Sequence, residues 1–178
     1  NMVVAQGETP IKIFKSNYDF YGKIIQTPSQ LKGDGMLSWE DARFSSADMK
    51  FGPNKASADK ASLKIYAADS SKIAFETNDI KGNMDFDKRL GTFTTNQPNA
   101  ETRFPFNSFL TNMNDYKWDM TAKTIEAKPN SNLVTTPYFL STNLAQDSLK
   151  FEAKKGIYSL KDYTLKVEQI PYIDIADS

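Results

Sequence analysis

Leu31-Lys-Gly-Asp-Gly-Met-Leu-Ser-Trp39 is the stretch that decides the fold class. Its odd-numbered positions hold only apolar or small residues, so they share one face of an extended strand. After Glu40-Asp41 the phase of the pattern changes and the apolar positions become Ala42 and Phe44, as a turn or a bulge requires. This region therefore predicts half-buried β-strands with a turn or a bulge between them.

The same alternation recurs through the rest of the chain at about ten residues per strand, which is typical of meanders, sandwiches and solenoids. The best helical window, Asn107 to Asn114, supports one or two turns at most. We therefore predict an all-β fold: an antiparallel β-jellyroll, sandwich or short solenoid of about ten or more short strands. The alternating runs lie at 49–51, 63–67, 73–77, 80–86, 104–106, 116–120, 125–127, 138–140, 149–153, 156–160 and 163–167.

The chain has 178 residues, and a fold of that length buries roughly 70% of its unfolded surface. We predict a single β-domain over residues 31–178. Residues 1–30 are less regular and contain Pro10 and Pro28, so they are expected to form a leading strand or a linker. The terminal Pro171-Tyr-Ile-Asp-Ile-Ala-Asp-Ser178 is typical of a strand cut short or just completed, so we expect a fragment of a longer protein.

Composition excludes several kinds of chemistry. The chain has no His and no Cys, which removes imidazole bases, thiol nucleophiles and Cys/His zinc sites. Carboxylate, Lys or Tyr chemistry and all-oxygen metal sites remain, and no cofactor is expected. Lys+Arg and Asp+Glu are both 22, so no net charge attracts nucleic acid. Arginine, the usual reader of phosphate and guanine, occurs only at Arg43, Arg89 and Arg103.

The sequence lacks the apolar run of roughly 18 residues that a membrane-spanning helix needs, so no transmembrane segment is predicted. The first residues, Asn1-Met-Val-Val-Ala5, also lack the basic flank and apolar stretch of a signal peptide. If the protein is exported, we expect this chain to be a mature form or an excised piece.

Two short segments share one motif. Ile73-Ala-Phe-Glu-Thr77 and Leu149-Lys-Phe-Glu-Ala153 are each followed closely by a glycine, at Gly82 and Gly156, which suggests an internal repeat. The motif places Glu76 and Glu152 at matching positions. Two carboxylates could serve a retaining glycosidase, but a repeated outward-facing strand position explains the match better.

Gly33-Asp-Gly-Met-Leu-Ser-Trp39 and Ser148-Leu-Lys-Phe-Glu-Ala-Lys-Lys-Gly-Ile-Tyr158 resemble repeats of large envelope proteins of Gram-negative bacteria. Those proteins include the lipopolysaccharide-transport bridge proteins and the related lipid conduits. The resemblance implies short strands stacked into a jellyroll or an extended groove with an apolar interior, which carries acyl chains or serves as a spacer.

Asp85 and Asp87 flank Phe86, so both carboxylates leave one face of a strand while the ring enters the core. The pair could bind Ca²⁺ or cleave glycosides. The simpler interpretation is a solvated strand face beside a turn, with Lys88 and Arg89 partly neutralising the acids.

Asp115 and Asp119 bracket Tyr116-Lys-Trp118, an arrangement in which an aromatic ring could stack on a sugar while the acids bind its hydroxyls. The alternation favours a core position for Tyr116 and Trp118 instead.

A small basic cluster, Lys150, Lys154 and Lys155, predicts a solvated sheet edge that discourages strand addition, or else a site for an anionic ligand.

The function expected from these patterns is a non-enzymatic structural or interaction module, with an apolar groove as one form of it. We expect it in the bacterial cell envelope, periplasmic or surface-exposed, or secreted. Its expected partners are neighbouring domains of the same chain and a glycan or a lipid. The alternative is a carbohydrate-binding module that uses exposed aromatic residues.

Overall fold

The computed structural model describes residues 2–69, 71–168 and 173–174 of the chain. Sixteen strands form one sheet, and one-turn 3-10 helices lie at Pro105–Asn107 and Leu144–Gln146. The strands are β1 (Met2–Ile13), β2 (Tyr18–Gln26), β3 (Leu31–Trp39), β4 (Ala42–Gly52), β5 (Lys55–Tyr66), β6 (Ile73–Asp85), β7 (Leu90–Thr95), β8 (Thr102–Phe104), β9 (Phe109–Thr111), β10 (Asp115–Asp119), β11 (Thr124–Lys128), β12 (Tyr138–Ser141), β13 (Lys150–Glu152), β14 (Lys155–Ser159), β15 (Leu165–Glu168) and β16 (Ile173–Asp174).

The prediction of an antiparallel all-β fold is confirmed. The main path of the sheet runs β1-β2-β3-β4-β5-β6-β7-β10-β11-β14-β15 and does not close. The leading segment belongs to this path, because β1 pairs with β2 and β2 with β3. The predicted terminal strand at 171–178 lies outside the described residues except for Ile173–Asp174. The window at 107–114 contains β9 in place of helical turns.

The sheet branches at β6. The second half of this strand pairs with β7, whereas its first half meets β8 where Glu76 lies opposite Arg103. From β8 the branch continues through β9, β12 and β13 to β16. Phe104 on β8 packs against Phe75, with ring centroids 5.4 Å apart, and against Tyr158 on β14, at 4.8 Å. The branch is therefore a second layer. It covers the inner face of the late strands of the main path, β10, β11, β14 and β15.

A crease runs across the early strands of the main path, β1 to β6. Gly22 on β2 and Gly35 on β3 lie opposite each other with φ angles of +138° and +154°, in the region that favours glycine. The register then shifts between β3 and β4 next to Gly35, and again between β5 and β6 near Ala58 and Ala61. Such bulges bend a strand and increase its twist, so the early part of the sheet folds along this line.

The curvature brings distant strands together. Trp39 at the end of β3 lies 5.8 Å from Trp118 on β10, measured between ring centroids, although β4 to β7 separate these strands along the path. Arg89, in the β6–β7 turn, stabilises this approach of β3 to β10. Its guanidinium donates to Glu40 Oε1 at 2.8 Å and to Thr121 Oγ1 at 3.1 Å, and so joins three turns.

Aromatic rings fill the interior between the layers. The largest side chains with less than 2% exposure include a tyrosine and several phenylalanines from both layers. The interior is therefore a packed core. These residues are Tyr158, Phe20, Phe44, Phe75, Phe93, Phe104 and Phe139.

A buried amide fastens the loop between β11 and β12. Asn112 Nδ2 donates to Thr135 Oγ1 and to the Thr136 carbonyl, both at 3.0 Å, and its Oδ1 accepts from the Tyr138 N–H at 2.8 Å. Asn112→Ala is expected to lower the free energy of unfolding by about 2 kcal/mol, because it leaves buried polar groups unpaired. Urea unfolding measures this loss. Asn132→Ala, on the exposed part of the loop, is the control, and equal losses in both variants would contradict the role of Asn112.

Candidate functional site

The aromatic residues predicted to stack on a sugar lie on β10 and point into the core. Only 2% of Tyr116 and 4% of Trp118 is exposed. The Tyr116 ring stacks on Phe93 with centroids 5.0 Å apart, and its hydroxyl donates to the Met113 carbonyl at 2.6 Å. The core position that alternation favoured for both rings is confirmed, and the alternative, a surface at Tyr116 and Trp118 on which a sugar stacks, is wrong because both rings point inward along β10.

The acids that bracket these rings, Asp115 and Asp119, lie half-buried at the two ends of β10. Asp119 Oδ1 accepts from the N–H groups of Thr121 and Ala122 at 3.0 and 2.8 Å. This carboxylate therefore stabilises the β10–β11 turn. With both rings buried, the two acids do not flank a surface on which a sugar could stack.

Asp85 and Asp87, predicted as a metal site or a catalytic pair, also stabilise turns. Asp85 accepts from the Lys88 N–H at 3.0 Å and forms an ion pair with Lys55 at 3.2 Å. The backbone hydrogen bond, then the lysine, lowers the pKa of the Asp85 carboxyl. Asp87 Oδ1 accepts from Asn54 Nδ2 at 2.9 Å. Within 2–69, 71–168 and 173–174, acidic residues form no cluster of three or more that could hold a metal ion, so the metal prediction has no support.

The two glutamates of the shared motif, Glu76 and Glu152, lie on β6 and β13, with β8, β9 and β12 between them in the branch. A retaining glycosidase needs its carboxylates about 5 Å apart, close to a single strand spacing. Glu76 instead forms an ion pair with Lys64 at 3.5 Å. The motifs also diverge after the glutamate, because Gly82 continues β6 whereas Gly156 belongs to a separate strand, β14.

The basic cluster does not form a sheet edge. Lys150 lies on β13, which pairs with β12 and β16, and Lys155 lies on β14, which pairs with β11 and β15. The Lys155 ammonium contacts Glu126 at 3.3 Å, and the Lys150 ammonium lies 4.4 Å from the centroid of the Tyr138 ring. The predicted solvated edge is wrong because both strands are interior strands of the sheet.

A cleft of about 230 Å³ opens where the early and late strands meet, beside the Arg89 contacts. It is the candidate functional site, because it combines a concave shape, buried apolar groups and charged groups. The early strands and their turns contribute Glu40, Asp41, Ala42, Ile65, Tyr66 and Ala68, and the late strands contribute Trp118, Met120, Lys123, Leu160, Lys161 and Tyr163.

Hydrogen bonds to Tyr163 from both layers hold the aromatic part of the cleft. The Tyr163 hydroxyl accepts from the Ala68 N–H at 2.7 Å, and the Tyr163 carbonyl accepts from Asn107 Nδ2 at 2.5 Å. Its ring packs on Phe106 with centroids 4.5 Å apart. Tyr163 has a φ of +57°, a conformation uncommon for an aromatic residue, and these contacts fix it.

Trp118 lines the cleft and carries a polar group without a partner. In the described part of the chain, its buried indole Nε1–H has no acceptor, and neither has that of Trp39. A buried donor of this kind is usually satisfied by protein, water or ligand. Because this nitrogen has almost no solvent-accessible surface, it lies behind the wall of the cleft and not in its opening.

Sequence reasoning did not find this cleft. Its charged residues, Glu40, Asp41, Lys123 and Lys161, all lie in or beside turns, where polar residues are ordinary. The break at Glu40-Asp41 marked one turn, but no local pattern indicates that it approaches the turns of the late strands.

Comparison of the chain with protein-family models, with curated proteins and with solved structures finds no match. No helix in the described ranges has the length and apolar character needed to cross a bilayer.

High pH tests the burial of the core tyrosines. Burial raises the pKa of both Tyr116 and Tyr158 above the ordinary value of about 10. Because the unfolded chain releases these protons first, stability is full below about pH 10 and falls as the pH rises above it. We expect at least two of the 8 tyrosines to ionise only on alkaline unfolding, as measured by phenolate absorbance alongside circular dichroism. Complete ionisation of a folded chain would contradict the buried positions.

Proposed function

We propose that the chain is a non-enzymatic structural or interaction module of a bacterial envelope protein or a secreted protein. The observation that carries this proposal is the open sheet. In the described part of the chain, β1 and β15 each pair with a neighbour on one side only. An unpaired strand edge presents N–H and C=O groups that can accept another strand.

The β1 edge is the more suitable of the two for pairing. It spans Met2–Ile13, whereas β15 spans only Leu165–Glu168. Met2 and Val3 are 64% and 49% exposed, so apolar side chains accompany the open edge at its start. We infer that a strand from a neighbouring domain or another protein pairs with β1 and continues the sheet.

The packed interior supports a spacer over a lipid conduit. A conduit needs a continuous apolar groove wide enough for acyl chains, whereas buried rings such as Phe44, Phe75 and Phe139 fill the space between the layers. The resemblance to envelope proteins stays a prediction, and it is the reason for proposing this location.

The acidic residues support a non-enzymatic role. A general acid at neutral pH usually has a raised pKa. Among the described carboxyls, those with a resolved pKa shift, Asp59, Asp85, Glu126 and Asp162, all have a lowered one. Hydrogen bonds from lysines, hydroxyls and backbone N–H groups lower the pKa of Asp59, Asp85 and Asp162. For Glu126, burial raises the pKa, but Lys155 and Lys128 together outweigh it.

Hydrogen exchange of β1 tests the module. We expect the amides of residues 2–13 to exchange about tenfold or more slowly in the protein isolated with its native assemblies than in the purified chain, because a paired edge must open before it exchanges. Peptides from β5, which is paired on both sides, are the internal control. Equal exchange of residues 2–13 in both samples would contradict the proposal that another strand pairs with β1.

Cell fractionation tests the proposed location separately. The protein is expected with the envelope fraction or in the medium, and recovery only with cytoplasmic proteins would contradict it.

A further inference from the structure

Acidic and basic residues of the cleft come from different parts of the sheet. Glu40 and Asp41 come from the turn between β3 and β4, whereas Lys123 and Lys161 come from the turns that follow β10 and β14. One side of the cleft is therefore acidic and belongs to the early strands. The other side is basic and belongs to the late strands.

The acidic side has one carboxylate available. Glu40 is held by the Arg89 guanidinium at 2.8 Å. The Asp41 carbonyl accepts from the Tyr66 N–H at 2.8 Å, which fixes the backbone of the turn. Within the described ranges the Asp41 carboxylate itself has no ion pair or hydrogen bond, so it can accept from an ammonium group.

The basic side has two ammonium groups available. Lys123 and Lys161 are exposed and form no ion pair with any described residue. A hydrogen bond from the Leu160 N–H to the Lys123 carbonyl, at 2.8 Å, ties their two turns together. The two lysines therefore belong to adjacent turns held to each other, and both can donate to a carboxylate.

Between the two sides lies an apolar surface. Ile65, Trp118 and Met120 line the cleft and are each less than 5% exposed. A short apolar side chain of a ligand would bury its surface there.

We propose that this cleft binds a small zwitterion with an apolar side chain, of the class of a free α-amino acid. Asp41 receives its ammonium group, Lys123 and Lys161 receive its carboxylate, and the surface around Trp118 receives its side chain. A neutral sugar would use hydroxyl contacts and would not need charges of both signs. This inference goes beyond the proposed module and does not depend on it.

The tryptophans provide the reporter for the test. The chain has 2 tryptophans: Trp118 lines the cleft, and the Trp39 ring lies 5.8 Å from it, measured between centroids. Titration of the purified chain with L-leucine is expected to change their emission with a Kd on the order of 1 mM, because exposed ion pairs contribute little each. Saturation-transfer NMR on the leucine methyl groups detects binding whether or not the emission responds.

Leucine analogues that lack one charged group test the contacts of the ammonium and of the carboxylate separately. L-leucinamide lacks the carboxylate and N-acetyl-L-leucine lacks the ammonium, and each is expected to bind about fivefold or more weakly than L-leucine. Equal binding of all three compounds would overturn the proposal. Binding of glucose without binding of leucine, or binding of neither, would overturn it as well.

Charge variants locate the site. Asp41→Asn is expected to weaken L-leucine binding about fivefold or more and to leave N-acetyl-L-leucine unchanged, whereas Lys161→Met should weaken both. Lys117→Met, which removes an exposed lysine on the outer face of β10, is the matched control and should bind as the unmodified chain does. Circular dichroism confirms folding of each variant. Unchanged leucine affinity in folded Asp41→Asn would overturn the assignment.

Discussion

Gly22→Ala is expected to lower the free energy of unfolding by about 3 kcal/mol or more. Gly22 has a φ of +138°, where a side chain is strained. An added Cβ would also lie 2.2 Å from the Asp34 carbonyl oxygen and 2.8 Å from the Gly35 Cα. Both contacts are with backbone of the paired strand, so no side-chain rotation relieves them. Urea unfolding followed by tryptophan fluorescence measures the loss.

Gly52→Ala is the matched control. An added Cβ there would meet only the Lys55 Cβ, at an ordinary 3.8 Å. Its free energy of unfolding is expected to change by less than about 0.5 kcal/mol. If the two variants unfolded at the same urea concentration, the close approach of Gly22 and Gly35 would not be a requirement of the fold.

Alternation in the sequence predicted the inner faces of β3 and β10 but not every strand, because the runs at 73–77 and 80–86 form the single strand β6 and β7 was not among the predicted runs. Leu37 and Trp39 are buried as the period-two pattern of β3 requires, and so are Tyr116 and Trp118 on β10. The pattern is reliable for β3 and β10 because each has one face against the core, and a shift by one residue would expose that whole face.

Alternation does not specify which strands are neighbours after β7. At the branch, β6 meets β8 through the opposed pair Glu76 and Arg103 and through a buried hydrogen bond of 3.0 Å between the Thr77 and Thr102 hydroxyls. Asp79, between the two halves of β6, has a positive φ. These are single-residue features in a long strand. The apolar positions of β4 change from Ala42 and Phe44 to Met49 and Phe51, which is a change of phase. A register shift between β3 and β4 explains it, but a phase change alone does not give the direction of the bend.

The cleft was unpredictable for a related reason. It forms only because the creased sheet curves until the turn after Trp39 reaches the turn after Met120. Arg89 holds that approach through Glu40 and Thr121, residues that are far apart in the sequence. Each of these residues is an ordinary turn residue in its local context. The candidate site is thus a consequence of sheet curvature, and the glycine pair and bulges that produce this curvature also position the charges.

Phe75→Ala is expected to lower the free energy of unfolding by about 4 kcal/mol, within the range found for removal of a fully buried aromatic ring. The Phe75 ring is 0% exposed and contacts three others, Phe93, Phe104 and Tyr116, with centroids 5.8, 5.4 and 5.9 Å away. Phe93 and Tyr116 belong to the main path of the sheet, whereas Phe104 belongs to the branch. The substitution therefore leaves a cavity at the point where the two layers meet.

Because Phe75 touches both layers, its loss is expected to weaken them together. Hydrogen exchange of peptides from β10 and from β12 should accelerate by similar factors in Phe75→Ala, since both open with the same global unfolding. Phe106→Ala is the matched control: this ring is 40% exposed, and its removal should cost about 1 kcal/mol. Faster exchange in β12 alone would mean that the branch unfolds independently, and the two layers would then not share one cooperative core.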